Sequence, residues 1–259
     1  MKAQALRARN QVVTGTSTSS VGAVPTRARL TPQHVGIIMD GNRRWARARG
    51  LEAVEGHREG ALRLGEVCEW GDEAGLETLT LWVLSIDNLQ RSERELAGLL
   101  PLIGETIENL AARRRWAVNP IGDLEVLPGH LRASMERAHD IGRGAPGMTV
   151  NIAVGYDGRR EIAHAVRQIL CAGIALPDDD GDPANIWQVL IAEHLYTRHQ
   201  ADPDLIIRTS GEHRLSGFLL WQTACSEFHF CDVPWPAFTR ADFRTALDSY
   251  AARHRRYGR

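Results

Sequence analysis

The side chains best suited to chemistry cluster within residues 34–50, HVGIIMDGNRRWARARG. Residues 35–39 form an apolar run of the length of a buried strand. It ends on Asp40; Gly41 and Asn42 break the strand, and Arg43, Arg44, Trp45, Ala46 and Arg47 follow with helical composition. A carboxylate at the carboxyl end of a strand, followed by a Gly-led turn and two arginines, occupies the edge where α/β sheets bind ligands. Backbone N–H groups at such a turn can cradle phosphate oxygens, and Asp40 can hold a Mg²⁺ ion that attracts them. The local reading is a metal-assisted phosphate or diphosphate site. The plain alternative is a strand-end Asp that caps a helix. Aspartyl-phosphate chemistry of the D-x-D-G type is excluded, because the position two before Asp40 is Ile38.

Three further stretches are predicted at strand ends on the edge that carries Asp40. They are Ser85-Ile86-Asp87-Asn88-Leu89-Gln90-Arg91, then Arg208-Thr209-Ser210-Gly211-Glu212-His213-Arg214-Leu215-Ser216, and Glu227 after the apolar FLLWQTACS. Singly, such arginines read as a solvated face and such a glutamate as a surface residue. Together they offer two carboxylates for Mg²⁺, Asp40 and Glu227, with at least four arginines whose forked guanidinium groups match phosphate oxygens.

The elements needed to position these residues follow from periodicity and punctuation. Helices are predicted over residues 55–75, 92–115, 128–141, 185–197 and 240–255, and after GYDGRREI to about residue 171. Strands are predicted over 77–84, 116–121, 148–154, 205–207 and 228–231. Ser92 and Glu95 form a capping box, and Pro101 is expected to interrupt the helix they start. Strands alternating with helices predict a mostly parallel sheet covered on both faces. No internal repeat and no linker divides the chain after residue 30, so residues 31–259 read as one domain. Residues 1–30 are basic, acid-free and rich in Ser and Thr, and read as a disordered extension.

The bulk numbers exclude several classes. A chain of 259 residues can bury a sizeable core. A net charge of −1 gives no general attraction to nucleic acid or anionic lipid. Cys68, Cys171, Cys225 and Cys231 show no C-x-x-C spacing, which fits a reducing cytoplasm. No apolar run approaches the roughly 18 to 20 residues of a membrane span. Lys2 is the sole lysine, a bias in the manner of a GC-rich bacterial genome.

HVGIIMDGNRRWA, SIDNLQR, NIAVGYDGRREI and DLIIRTSGEHRLSGFLLWQ, in this order and spacing, resemble the successive motifs of the cis-prenyltransferases, the undecaprenyl diphosphate synthase family. The resemblance runs from about residue 32 to the C-terminus. It implies a single α/β domain, with a mostly parallel central sheet flanked by helices and an apolar substrate tunnel, working as a homodimer. It implies Mg²⁺-dependent addition of isopentenyl diphosphate to an allylic diphosphate (dimethylallyl, geranyl or farnesyl) with a new Z double bond. By resemblance Asp40 is catalytic and binds Mg²⁺, with Glu227 as a further ligand, and Asn88 assists proton removal, although an amide is a poor base. Gly41, Asn42, Arg43, Arg44, Trp45, His57, Ser85, Ile86, Asp87, Leu89 and Arg91 match substrate-site positions. Arg208, Arg214, Leu215 and Ser216 match the isopentenyl diphosphate site. Arg256 and Gly258 match a C-terminal R-x-G that reaches the neighbouring subunit's site.

The sequence also departs from the pattern. Ala53 stands where an arginine is usual, Leu89 replaces a frequent aromatic and Asp87 a frequent Glu. Val83 stands where long-chain members carry a small residue, which implies a short product such as (2Z,6E)-farnesyl diphosphate. The alternative for Val83 is a simple core strand residue. The competing functions are a long-chain polyprenyl diphosphate synthase and a non-catalytic partner subunit, which would lack the D-G-N Asp and the phosphate arginines. Asp178 to Asp182 spell the D-D-x-x-D of all-helical prenyltransferases, but flanking prolines make this a surface loop.

Overall fold

The structure, a computed structural model, describes residues 31–174 and 183–253. The 1–30 extension, the acidic 178–182 stretch and the C-terminal Arg256 and Gly258 lie outside the described residues. In chain order the elements are β1 (His34–Ile38), α1 (Asn42–Arg47), α2 (Ala53–Glu73), β2 (Thr78–Ser85), α3 (Glu93–Ala112), β3 (Ala117–Ile121), α4 (Gly129–Gly142), β4 (Thr149–Tyr156), α5 (Gly158–Cys171), α6 (Pro183–His194), β5 (Leu205–Arg208), β6 (Glu227–Phe230) and α7 (Arg240–Ala251). The six strands form one sheet in the order β3-β4-β2-β1-β5-β6, and every neighbouring pair is parallel. The expected alternation is therefore observed, with one revision: α3 runs through Pro101 as one helix. The apolar 218–226 stretch is a turn ending in a short 3-10 segment, Gln222–Cys225.

Central strands covered on both faces read as continuous apolar runs, and every residue of β1 is buried. Val35 and Ile37 face the larger core, where they join Leu79 and Leu81 of β2, Leu64 and Val67 of α2, and Leu99, Ile103 and Ile107 of α3. Ile38 faces the other side, in a smaller cluster with Ala153, Tyr156, Ile206, Phe218 and Leu219. Gly36 lets Phe218 lie against β1: a Cβ there would come within 2.6 Å of Ile206 and 3.0 Å of the Phe218 ring.

A polar band crosses this second face beneath the site. The ring of His34 sits 2.7 Å from the carbonyl of Ala201, which takes the Nδ1 proton and leaves Nε2 to accept from the Thr80 hydroxyl at 2.8 Å. Thr80 accepts in turn from Asn151 Nδ2 at 3.0 Å, and Asn151 also pairs with Gln200 and Asn119. His34 is 1% exposed, and burial pulls its pKa down to about 4 against a smaller opposing pull from the Ala201 carbonyl. The unfolded chain therefore binds a proton at His34 that the folded chain refuses between about pH 6.5 and pH 4. Stability from this residue is full above pH 6.5 and falls as pH drops through that window, by a total on the order of 3 kcal/mol. Urea unfolding at pH 7 and pH 4.5 should show the loss. His34→Gln, destabilised at neutral pH, should show a correspondingly shallower pH dependence; an unchanged slope would mean other groups carry it.

Candidate active site

β1 is the point at which the chain reverses its direction across the sheet: β2 lies on one side of it and β5 on the other. The crossover helices after β1 and before β5 lie on opposite faces, so a crevice opens at the carboxyl ends of these two strands, the usual ligand position of a parallel sheet. Ile38 pairs with Arg208, which brings Asp40 and the 208–216 segment together.

The turn after β1 is held on all sides. The backbone N–H of Asp40 donates to Thr209 Oγ1 at 2.9 Å, while Thr209 Oγ1 donates to the Asp40 carbonyl at 2.7 Å, and the Trp235 N–H donates to the same carbonyl at 2.9 Å. Gly41 has φ +104°, in the left-handed region, and a Cβ there would lie 2.6 Å from Ser210 Oγ and 2.8 Å from Pro234. Only glycine fits this turn. α1 then seats on α2 through two more glycines: a Cβ at Gly56 would be 2.2 Å from the Asn42 carbonyl oxygen, and one at Gly60 2.4 Å from its Oδ1.

The cleft has a volume of about 380 Å³, within the range of small-ligand sites. Of the residues singled out in the sequence, Asp40, Gly41, Asn42, Arg43, Arg44, His57, Val83, Ser85, Asn88, Arg91, Arg208 and Ser216 line it together. Arg208 is its buried anchor, with 5% of the side chain exposed. Its Nη2 donates to Asp40 Oδ2 at 3.0 Å, and its Nη1 to Ser216 Oγ at 2.9 Å and to the Arg214 carbonyl. Arg44 lies 3.5 Å from the same Asp40 oxygen and 3.2 Å from Glu212. Asn88 is oriented by its own N–H, which donates to Ser85 Oγ at 3.1 Å.

A second carboxylate organises the opposite wall. Glu95 Oε1 accepts from Arg91 Nη1 at 3.0 Å, lies 3.2 Å from His57 Nε2 and 3.8 Å from Arg43 Nε. One oxygen thus ties together side chains from α1, α2 and the turn before α3. Burial lowers the pKa of His57, partly opposed by its hydrogen bond to Glu95. Burial likewise lowers that of Arg91, with Glu95 pulling it back up.

Beyond Met39, Asn42, His57, Val83 and Leu99 the cleft leads into a narrow chamber of about 50 Å³, walled by Gly60, Ala61, Leu64, Leu102, Ile103, Thr106, Ile107 and Trp235. Val83 sits at a break in the β2–β4 register, between Trp82 and Leu84. Such irregularities re-aim side chains near sites.

Several expectations are revised. Glu227 does not share the Asp40 edge. It is the first residue of β6, paired in register with Leu205, so within this chain it lies at the opposite end of the sheet, where Arg253 binds its carboxylate. The apolar stretch before it is a turn that leads into β6, so Glu227 opens a strand rather than closing one. Trp45 carries the Arg49 guanidinium 4.2 Å over its ring and does not line the cleft, nor do Ile86, Asp87, Leu89, Arg214 and Leu215. Leu89 packs on the larger core and Leu215 on the smaller one. The Arg214 side chain pairs with Glu212, and only its carbonyl reaches Arg208. Ala53, at the start of α2, contributes no cation.

Sequence reasoning missed Ile38, Met39, Arg47, Trp82 and Leu99 in the wall, together with Glu95 and Thr209 behind it. Glu95 was legible as the partner one helical turn after Arg91. The GYDGRREI motif proves to be scaffold. Glu161, 1% exposed, accepts from the Tyr156 hydroxyl at 2.5 Å, from the Tyr196 N–H at 2.8 Å and from Gln222 Nε2 at 3.2 Å. Burial raises its pKa. It thereby pins the segment that presents Ser216.

The fit of a divalent cation can be judged from the donors. Among the described residues no three His, Cys, Asp or Glu side chains converge on one point. Asp40 keeps Oδ1 without a hydrogen-bond partner among the described residues. One carboxylate oxygen beside an arginine-lined wall suits Mg²⁺, which is commonly held by one or two carboxylates and completes its shell with substrate oxygens and water.

Comparison with known proteins agrees with this geometry. Residues 38–258 match the prenyltransferase family model described as undecaprenyl diphosphate synthase. The chain is 52% identical to the (2Z,6E)-farnesyl diphosphate synthase of Thermobifida fusca, over 88% of this chain and 90% of that one. It is 49% identical to isoprenyl transferase 1 of Streptomyces avermitilis, over 88% and 89%. Among solved structures, lavandulyl diphosphate synthase from Lavandula x intermedia, in complex with dimethylallyl diphosphate, superposes with a TM-score of 0.81 at 35% identity, covering 89% of this chain and 99% of that one.

Proposed function

The chain belongs to the undecaprenyl diphosphate synthase family of prenyltransferases, and from that premise we propose that it joins isopentenyl diphosphate to a short allylic diphosphate in the presence of Mg²⁺, giving a short Z-prenyl diphosphate such as (2Z,6E)-farnesyl diphosphate. The observation that carries the proposal is the division of one cleft into two cationic walls around Asp40. Arg208 and Ser216 stand at the β5 end, and Arg43, His57 and Arg91 gather around Glu95 beside the apolar chamber. Two diphosphates and one hydrocarbon tail fit such a division.

In this reading the allylic tail enters the chamber, and its diphosphate lies against Arg43, Arg44 and Arg91. The isopentenyl diphosphate is held by Arg208 and Ser216. Mg²⁺, when bound, neutralises diphosphate charge next to Asp40. The allylic C1–O bond breaks and pyrophosphate leaves. The isopentenyl π electrons form the new C–C bond, and the C2 proton passes to the released pyrophosphate, which restores a double bond. Developing negative charge on the leaving oxygens falls beside preorganised donors, where electrostatic stabilisation is strongest. Ser85 fixes Asn88 where its amide can orient the isopentenyl unit. The retained Asp40–Arg208 pair argues against a non-catalytic subunit. We place the reaction in the bacterial cytoplasm; no helix of the described residues is long and apolar enough to cross a membrane. A homodimer is part of the proposal and is tested by sedimentation.

The direct test is incubation with Mg²⁺, labelled isopentenyl diphosphate and dimethylallyl, geranyl or farnesyl diphosphate, followed by chromatography of the dephosphorylated products. A single addition to geranyl diphosphate supports the reading; long polyprenols would identify a carrier-lipid synthase instead. Val83→Ala tests the stop, because Val83 lies at the mouth of the chamber. It should cost about 1 to 1.5 kcal/mol in stability and lengthen the product. An unchanged product from a folded, active variant would move the stop to Leu99, Leu102 or Ile103.

A further inference from the structure

The arginines of the cleft are not equivalent. Arg208 is paired with Asp40, Arg44 with Asp40 and Glu212, and Arg43 and Arg91 with Glu95. Arg47 lines the same cleft, is exposed, and has no carboxylate or hydrogen-bond partner among the described residues. It follows Arg43 by four positions on α1, and no acidic residue occupies the helix's first turn. Arg47 stands in the last turn, where a cation complements the helix dipole, while Arg43 one turn before it repels it, so α1 alone does not require the residue. Its place in the cleft wall sets its charge before an incoming anion.

We propose that Arg47 is a substrate-selecting residue that takes the phosphate of the allylic diphosphate lying farthest from the reacting carbon. This rests on the prenyl-transfer reading and deepens it. The side of the cleft follows from Arg43, one turn before Arg47 on α1 and 3.8 Å from Glu95 beside the mouth of the apolar chamber, whereas Arg208 and Ser216 stand across Asp40 at the end of β5. The phosphate adjoining the allylic carbon must stay near Asp40, so a cation farther along α1 meets the outer one. The paired arginines must exchange a carboxylate for the phosphate when substrate binds. Arg47 has no such contact to give up, so its charge acts undiminished on the incoming dianion. It also distinguishes the subsites before chemistry begins, since among the described residues Arg47 is the one cleft arginine with no carboxylate partner.

The test is titration calorimetry of the full chain with Mg²⁺, using geranyl thiolodiphosphate, an allylic analogue that resists ionisation, and isopentenyl diphosphate in separate titrations. Arg47→Gln should weaken the analogue about tenfold, the scale of one charge-assisted contact, and leave isopentenyl diphosphate within about twofold. It should also flatten the salt dependence of analogue binding, a change that loss of helix order alone would not single out. The KM for geranyl diphosphate should rise in parallel with little change in kcat. Equal weakening of both ligands, or of neither, would overturn the assignment. If the parent binds both ligands but forms no prenyl product, prenyl transfer fails while the selective effect of Arg47→Gln still decides the role of that side chain.

Discussion

Asp40→Ala should lower kcat by at least about 10²- to 10³-fold, the scale seen when one preorganised electrostatic group is removed, while the protein unfolds with near-parental cooperativity. The structure gives this variant a particular signature. Asp40 Oδ2 occupies Arg208 Nη2 at 3.0 Å and lies 3.5 Å from Arg44, which keeps Glu212 at 3.2 Å, so removing the carboxylate frees one guanidinium nitrogen of Arg208 for substrate and lifts one of the two restraints on Arg44. The loss should therefore fall on kcat and on the Mg²⁺ requirement, with KM for both diphosphates unchanged or lowered. The turn itself is held through backbone atoms by Thr209 and Trp235, which the substitution leaves in place. Steady-state kinetics across a Mg²⁺ titration provides the check. Near-parental kcat at saturating Mg²⁺ would remove Asp40 from the mechanism.

Arg208→Lys should raise KM for isopentenyl diphosphate by roughly 10- to 100-fold and that for the allylic substrate only a few-fold. The guanidinium reaches Asp40, Ser216 and the Arg214 carbonyl at once, and a single ammonium cannot reproduce that fork. Each hydrogen bond to a charged group contributes about 1.5 to 3 kcal/mol, and the Arg208 side chain is 5% exposed. Arg214→Ala is the contrasting case. Its side chain is 62% exposed and faces Glu212, where ion pairs contribute about 0 to 1 kcal/mol, so a change of a few-fold at most is expected. Separate saturation curves for the two substrates distinguish these outcomes. Comparable losses for both variants would mean that the 208–216 segment rearranges when substrate binds.

The sequence yielded the sheet and its helices because buried parallel strands leave continuous apolar runs and amphipathic helices leave a periodic stripe. It also yielded the β1 turn, where Asp40, Gly41 and Asn42 are local in sequence and their roles are local in space. The misplaced residue, Glu227, shows the limit. Hydropathy marked FLLWQTACS as apolar without showing its direction, because a buried turn, with Phe218 and Leu219 at 0% exposure, leaves the same apolar signal as a strand. The direction of Glu227 relative to the sheet depended on that distinction. Glu95 and Arg47 were visible only as a capping-box residue and a member of a basic run: the Arg91–Glu95 pair is local, but His57 and Arg43, which complete the Glu95 group, come from distant elements. His34 and Asn151 in the polar band were invisible in the same way.

The seating of α1 on Gly56 and Gly60 constrains how such a protein can be redesigned. α2 serves two clients: the same helix supports Asn42 in the turn after Asp40, and supplies Gly60, Ala61 and Leu64 to the apolar chamber. A change on α2 meant to alter the length of the bound tail would also displace the diphosphate, so selectivity and turnover would shift together. Val83, Leu99 and Ile103 border the chamber from β2 and α3 without touching that seat. Variation confined to those positions can tune product size while the reacting centre stays fixed, which makes β2 and α3 the adjustable side of the tunnel and α2 its fixed reference.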